Sequence, residues 1–317
     1  MRELRKDPVT QRWILVSTDY AKSGGEPCPF CPGKERNTPP EIYAIREPQS
    51  QPNGPGWWTR VVPDKYPFLI IQGELDRRAE GIYDMMNGVG AHELVIETPD
   101  HHLHWGTMEA EQLERIFLSY QQRLLDLRRD ERFRFIMISK NFHFYTSLIE
   151  HPHSHIVALP IVPRGMDLEI EGTLRYYKLK ERCIFCDMIR EEQRTKKRII
   201  LESEHYIAFV PFASRYSFES WILPKVHQPD FGEKDQHMND LAVLTRTLIA
   251  KIMKAKGDPP YSVVVHTTPN PPFYEERYHW HLEVRPRVYE GMGFEWGSGF
   301  FVTYTAPEEA ATILRQC

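Results

Sequence analysis

Residues 151–160 read His-Pro-His-Ser-His-Ile-Val-Ala-Leu-Pro, and this stretch decides how the rest of the 317-residue chain is interpreted. Alternate histidines followed by an apolar run predict the edge of a β-strand that enters a core. Because a strand repeats every two residues, His151, His153 and His155 are expected on one face. Three imidazoles on one face are costly to bury without partners. Exposed histidines or a purely structural metal site would satisfy the pattern; a reactive histidine beside a metal ligand is the more specific hypothesis.

The composition is that of an ordinary globular protein, with 41% apolar and 26% charged residues. At this length two domains of about 150 residues each are expected. A net charge of -4 provides no broad basic surface for nucleic acid. The first residues are charged, no apolar signal region follows them, and no apolar run approaches the ~20 residues of a membrane helix. We therefore predict a cytoplasmic protein without nucleic-acid or membrane partners.

Four of the five cysteines form two pairs with the same spacing, Cys28-Pro-Phe-Cys31 and Cys183-Ile-Phe-Cys186. Disulfides are unusual in a cytosolic chain of this size, and a two-residue gap is typical of a zinc knuckle. A redox pair is the alternative, but it would need a strand-to-helix setting that the sequence does not suggest. Cys317, the last residue, has no partner in this pattern.

The chain repeats one order of elements twice: a cysteine pair, a strand, a histidine, a helix, a strand, a loop and a His-x-His strand. The predicted helices cover residues 107–129, with Thr107 as the N-cap, and 234–256, with Gly257 as the stop. Residues 161–182 are interpreted as a linker, 300–305 as a strand and 307–315 as a helix. Such shared order indicates an internal duplication. We predict an α+β fold with domains 1–160 and 161–317, each an antiparallel sheet with flanking helices.

Each half supplies two thiols and two imidazoles, which suit a closed tetrahedral zinc site. The alternative is free thiols and surface histidines, and His92, His102 and His104 compete with His101 as a ligand. The two predicted sets are Cys28, Cys31, His101 and His151, and Cys183, Cys186, His227 and His279. A metal there would hold the neighbouring histidine of each His-x-His strand in place.

With His151 as a ligand, His153 is the remaining reactive imidazole of the first strand. A neutral histidine is a suitable nucleophile for attack on phosphorus. Backbone N–H groups near Ser154 would stabilise phosphate oxygens, and His155 could donate a proton to a leaving oxygen. In the second half Glu283 replaces the third histidine after His281, which suggests a structural remnant of the duplication.

The chain resembles the galactose-1-phosphate uridylyltransferase branch of the histidine triad (HIT) superfamily, including its relative ADP-glucose phosphorylase. The matching pieces run over nearly the whole chain. They are the two cysteine pairs, Arg60-Val-Val-Pro-Asp-Lys-Tyr-Pro, Pro99-Asp100-His101, His151-Pro-His153, Pro224-Lys-Val-His227, Tyr278-His-Trp-His281 and residues 293–299. The resemblance implies two tandem HIT-like half-barrels per chain and a homodimer.

The same resemblance implies a double displacement. His153 would attack the α-phosphorus of a nucleotide sugar, release a sugar 1-phosphate, and pass the nucleotidyl group to a second phosphate. The acceptor would be a hexose 1-phosphate in a uridylyltransferase and inorganic phosphate in a phosphorylase. The substrate-binding residues implied are Arg60, Asp64 and Asn141 for the nucleotide part, Ser154, and Glu295 for the hexose.

Three positions depart from the family pattern. His155 stands where the transferases carry Gln, and a third histidine is the pattern of HIT hydrolases. Asp64 replaces a usual Asn. Residues 142–150 are rich in aromatic side chains and end in Glu150, where the family has a Gly/Ala-rich loop. These departures keep open a phosphorylase or hydrolase, or a catalytically silent nucleotide-binding protein.

Overall fold

The computed structural model describes residues 2–18, 28–143, 149–233, 237–271, 276–287 and 293–317. Its strands are β1 (Arg2–Lys6), β2 (Trp13–Ser17), β3 (Tyr43–Arg46), β4 (Trp57–Pro63), β5 (Arg78–Glu80), β6 (Tyr83–Asn87), β7 (Ala91–Ile96), β8 (Phe135–Phe142), β9 (His153–Leu159), β10 (Ile199–Glu202), β11 (Tyr206–Phe209), β12 (Ser220–Pro224), β13 (Tyr261–His266) and β14 (His281–Pro286). Its α-helices are α1 (Ala110–Leu127), α2 (Arg164–Lys180), α3 (Ile184–Thr195), α4 (Met238–Lys256), α5 (Gly293–Ser298) and α6 (Pro307–Gln316), and a short 3-10 turn spans Glu35–Asn37.

Within these ranges one antiparallel sheet of ten strands joins the two halves of the chain, in the order β10-β11-β12-β14-β13-β8-β9-β7-β4-β3. Each half contributes five strands, and β8 and β13 pair where the halves meet. The predicted α+β fold with antiparallel strands and flanking helices is confirmed. The halves share one sheet, and the boundary between 160 and 161 stays a prediction. A smaller sheet contains β2, β1, β6 and β5.

The main core lies between the sheet and the two long helices α1 and α4, which pack on each other. In β9 the alternate residues Ser154, Ile156 and Ala158 are fully buried on the side of α1. Strand periodicity then directs His153 and His155 to the opposite face, where both side chains are partly exposed. Burial of the apolar residues therefore decides which face carries the histidines.

Helix α1 begins later than predicted. Thr107 does not cap it; its hydroxyl donates to the carbonyl of His104 at 3.1 Å, and Glu109 precedes the first helical residue. Helix α4 begins at Met238, and residues 234–236 of its predicted range lie outside the described residues. Its predicted end is correct, because Gly257 adopts the left-handed conformation (φ 67°) that favours glycine.

Two other predictions were wrong. The segment interpreted as a linker contains α2, whose buried residues Met166 and Ile170 pack with the second-half strands into a separate apolar cluster. Residues 300–305 form no strand and expose several aromatic side chains. Among the described residues, no helix is both long enough and apolar enough to cross a membrane.

Candidate active site

The four predicted metal ligands of the first half lie together, with their ligand atoms within 4.8 Å of one another. Cys31 Sγ is 3.4 Å from His101 Nδ1 and 3.6 Å from His151 Nδ1. The structure thus selects His101 from its competing neighbours. The Nε2 atom of His151 lies 2.7 Å from the carbonyl of Thr98, so we assign the ring proton to Nε2. The Nδ1 lone pair then faces the thiols, as a metal ligand requires.

The second half repeats this arrangement with Cys183, Cys186, His227 and His279. Cys186 Sγ is 3.3 Å from His227 Nδ1 and 3.6 Å from His279 Nδ1. Nε2 of His279 lies 2.9 Å from the carbonyl of Pro224, which leaves its Nδ1 for the group. Both sets have the thiol and imidazole donors of a closed tetrahedral site, and both could hold a metal ion. Cys183 directly precedes α3, a helical setting that the sequence did not suggest.

His153 begins β9 two residues after His151. Its Nδ1 lies 2.7 Å from the carbonyl of His151, so we assign the Nδ1 proton to that hydrogen bond. Nε2 then carries the lone pair and faces away from the strand. The ring of Phe30 packs against His153 edge-on, with centroids 5.5 Å apart. Burial lowers the pKa of His153 to about 3, and His155 adds to this effect.

His155 is the last of three side chains in a row. Its Nδ1 lies 3.0 Å from Nε2 of His92, and Nδ1 of His92 lies 3.1 Å from Oδ2 of Asp64. Phe68 stacks on His92 with centroids 4.6 Å apart. Burial lowers the pKa of His92 and of His155 to about 4 each. Sequence reasoning named Asp64 and His155, but it considered His92 only as an alternative metal ligand to His101.

Two predicted substrate contacts lie close to the histidine strand. Asn141 is at the end of β8, and the β8–β9 register pairs its neighbour Lys140 with Ser154. Alternation places Asn141 on the face of His153, and its side-chain oxygen accepts the Ser262 hydroxyl at 2.7 Å. The Ser154 side chain is buried on the other face, so only its backbone remains for a substrate.

The other predicted contacts lie in different surroundings. Arg60 is 1% exposed and donates from Nε to Glu41 and from Nη1 to Thr38. Its Nη2 has no hydrogen-bond partner among the described residues. Glu295 lies in the exposed helix α5, where its carboxylate accepts the N–H of Val302 at 3.1 Å. The loop that precedes His151 lies outside the described residues at 144–148.

A buried polar network holds β9 from behind. Lys140 Nζ donates to Glu97 at 2.7 Å and to the carbonyl of His153 at 3.2 Å. The other oxygen of Glu97 accepts the Ser154 hydroxyl, which in turn accepts the Tyr120 hydroxyl at 2.5 Å. These side chains are all less than 3% exposed. The network lies on the buried side of the sheet and fixes the backbone position of His153.

The second half has a polar cluster that sequence reasoning missed. His266 Nδ1 lies 2.8 Å from Glu169 of α2, and its Nε2 lies 3.3 Å from Glu283. Burial alone would lower the pKa of His266, but the two carboxylates raise it to about 10. His281, the counterpart of His153, is fully buried beside them. In the second half, helix α2 thus covers the sheet face that corresponds to the accessible face at His153 in the first half. Its role was missed because the segment was interpreted as a linker.

Comparisons with known proteins give a consistent result. Residues 169–288 match the family model described as galactose-1-phosphate uridyl transferase, C-terminal domain. ADP-glucose phosphorylase of Arabidopsis thaliana is 32% identical, over 99% of this chain and 92% of that protein. Galactose-1-phosphate uridylyltransferase of Thermotoga maritima is 27% identical, over 100% of this chain and 98% of that protein.

A solved structure agrees over the same length. The crystal structure of an ADP-glucose phosphorylase from Arabidopsis thaliana with bound ADP-glucose superposes with a TM-score of 0.81 at 32% identity. The superposition covers 100% of this chain and 99% of that one. The similarity therefore extends over both halves and includes the segments that carry the histidines.

Proposed function

This chain belongs to the family that contains ADP-glucose phosphorylase and the galactose-1-phosphate uridylyltransferases, and on that premise we propose that it transfers a nucleotidyl group from a nucleotide sugar through a covalent intermediate on His153. The orientation of His153 carries this proposal. Its Nδ1 is tied to the carbonyl of His151, so the lone pair of Nε2 points away from the strand. A ring held in this tautomer is ready to attack phosphorus without losing a proton.

The chain's own residues account for the steps of a double displacement. Nε2 of His153 attacks the α-phosphorus, the P–O bond to the sugar phosphate breaks, and a sugar 1-phosphate leaves. An oxygen of the acceptor then attacks the same phosphorus, and the P–N bond breaks. Lys140, held by Glu97, donates to the carbonyl of His153 and keeps the nucleophile in position through both steps. Asn141, on the same face, is placed to contact the nucleotide.

We propose that each half binds one zinc ion through its two cysteines and two histidines. The carbonyls of Thr98 and Pro224 turn a ring nitrogen of one histidine in each set towards the thiols, which supports a metal in both places. Zinc would act as a structural tie between the cysteine pair and the His-x-His strand. The first set includes His151, so a metal there would also hold the carbonyl that orients His153.

The donor is proposed to be UDP-glucose and the acceptor a hexose 1-phosphate; the Thermotoga relative is named a galactose-1-phosphate uridylyltransferase, which supports uridylyl transfer to a sugar 1-phosphate. A second candidate is ADP-glucose phosphorolysis, in which inorganic phosphate is the acceptor. The 32% identity to the Arabidopsis phosphorylase favours it. Both reactions share the nucleotidyl-His153 intermediate and differ in the base and the acceptor.

We also propose a homodimer that works in the cytoplasm. The segment around α5 exposes Phe294, Trp296, Phe300, Phe301 and Tyr304, with Trp296 92% exposed. Several exposed aromatic side chains in one short segment are typical of a surface that another protein covers. A second copy of this chain is the proposed partner, and Glu295 would be brought to the partner's substrate by this contact.

Intact mass measured within seconds of mixing tests the function. The chain is mixed with UDP-glucose or ADP-glucose, and the expected result is one nucleoside monophosphate added to the mass. Added hexose 1-phosphate or inorganic phosphate should remove it. His153→Ala should abolish the adduct, whereas the matched control His205→Ala, on a histidine of the second half, should keep it. Full adduct formation by the His153→Ala chain would refute the covalent mechanism.

A further inference from the structure

Two positions at which this chain departs from the family pattern lie in one hydrogen-bonded row. His92 connects them, with its Nε2 at 3.0 Å from His155 and its Nδ1 at 3.1 Å from Asp64. His92 is 4% exposed, so the row runs through a buried side chain. At its far end, Nε2 of His155 has no hydrogen-bond partner among the described residues. His155 lies beside His153, with ring centroids 5.1 Å apart.

The contacts of Asp64 set the direction of the row. Burial raises the pKa of Asp64, and the N–H of Tyr66, which Oδ1 accepts at 2.8 Å, opposes this rise by stabilising the carboxylate. Nδ1 of His92 lies between Oδ2 of Asp64 at 3.1 Å and the N–H of Phe68 at 3.4 Å. We assign the proton to Nδ1 because the carboxylate is the closer and charged partner. His92 Nε2 then accepts from Nδ1 of His155, and Nε2 of His155 carries a lone pair.

The ligand atoms of Asp64, His92 and His155 lie within 4.8 Å of one another, but their hydrogen bonds suit proton transfer better than metal binding. In a metal site each histidine would direct one nitrogen to a common centre. Here both nitrogens of His92 are engaged by neighbours on opposite sides of its ring. A proton that arrives at Nε2 of His155 can release the Nδ1 proton to His92. The positive charge then rests next to the carboxylate of Asp64, which offsets part of the cost of burying it.

We propose that Asp64 and His92 position His155 as the proton acceptor that delivers the nucleotidyl group of His153 to water. This inference rests on the proposed nucleotidyl-His153 intermediate. The water oxygen attacks phosphorus, the P–N bond breaks, and its electron pair returns to Nε2 of His153. The water proton passes to Nε2 of His155, and a nucleoside monophosphate leaves. The proton then returns from His155 to solvent.

The chemistry of the acceptor explains why such a row points to water. A sugar 1-phosphate or inorganic phosphate attacks through an oxygen that is already ionised near neutral pH, so it needs no base. Water must lose a proton as it attacks, and a positioned base contributes about 10²–10⁴-fold to such a step. A glutamine in place of His155 could donate and accept hydrogen bonds but could not take this proton. The row therefore adds a hydrolytic turnover that phosphate acceptors do not require.

Decay of the isolated adduct separates the two kinds of acceptor. The nucleotidyl-enzyme is formed with UDP-glucose or ADP-glucose, freed of donor by rapid desalting, and followed by intact mass in buffer alone and with hexose 1-phosphate or inorganic phosphate. The unaltered chain should lose the adduct in buffer alone and release a nucleoside monophosphate. Asp64→Asn should slow this decay by about 10²-fold, because an amide N–H would donate to His92 and reverse the row. His155→Gln should slow the decay in buffer alone to a similar extent.

Decay with the phosphate acceptor is the second readout. If Asp64 and His155 had a merely structural role, their variants would slow this decay as much as the decay in buffer alone. In both variants the decay with the phosphate acceptor should slow far less than the decay in buffer alone, and His205→Gln should change neither decay. An adduct that is stable in buffer alone, or parallel loss of both decays in Asp64→Asn, would overturn this inference and leave the covalent mechanism standing. No adduct from any donor in the unaltered chain would overturn the proposed function and this inference with it.

Discussion

The buried pair Lys140–Glu97 allows a quantitative test of how β9 is held. The Lys140 side chain is 2% exposed, that of Glu97 is fully buried, and Nζ lies 2.7 Å from the carboxylate. At an effective dielectric constant of about 20, two charges at this distance attract each other by about 6 kcal/mol, most of which offsets their desolvation. Lys140→Met keeps the aliphatic bulk but leaves the Glu97 charge buried without its cation. We expect the free energy of unfolding to fall by about 3–5 kcal/mol.

The assay is urea unfolding followed by tryptophan fluorescence. The double variant Lys140→Met/Glu97→Gln should recover about 2 kcal/mol, since it removes the uncompensated charge as well. Arg164→Met is the matched control, because the Arg164–Glu171 pair is exposed and should contribute at most about 1 kcal/mol. A loss below about 1 kcal/mol in Lys140→Met, or a double variant no more stable than the single one, would refute the reasoning.

Three further outcomes follow from other parts of the structure. Cys31→Ser should bind about one zinc ion per chain instead of two by elemental analysis, while Cys317→Ser keeps both. Burial alone would raise the pKa of Asp230, but Arg128 and two threonine hydroxyls hold it below its usual value. Asp230→Asn should therefore lower the free energy of unfolding by about 3–5 kcal/mol at pH 7. Urea midpoints should show this difference shrinking as the pH falls below about 4, where the carboxylate of the unfolded chain takes up a proton, and vanishing once the pH passes the lower pKa of the native carboxylate. Trp296→Ser should shift the mass by light scattering towards the monomer; an unchanged dimer would remove this surface from the proposed interface.

Local sequence patterns were sufficient for the elements that carry the site. The His-x-His strands, the cysteine pairs and the two long helices each have a signal within a few residues of chain, because strand and helix periodicity and ligand spacing are short-range properties. The duplication could also be read directly, since both halves repeat one order. On these signals the α+β fold and the two sets of metal ligands were predicted, and the structure brings each set together.

Contacts between distant segments had no such signal. Asp64, His92 and His155 meet because β7 pairs with β9 and the turn after β4 folds back, over separations that periodicity does not describe. Helix α2 was taken for a linker because residues 161–182 are charged and only weakly apolar, and only its packing on the second half shows that it supplies Glu169.

The sequence by itself thus predicted the fold class, the two sets of cysteines and histidines that the structure brings together, and the strand that carries the proposed nucleophile. Only the tertiary structure decided which face of that strand is accessible, which groups orient His153 and His155, and why the equivalent face of the second half is covered. The physical reason is that side-chain direction and burial depend on what packs against a strand, and that is set by the whole chain.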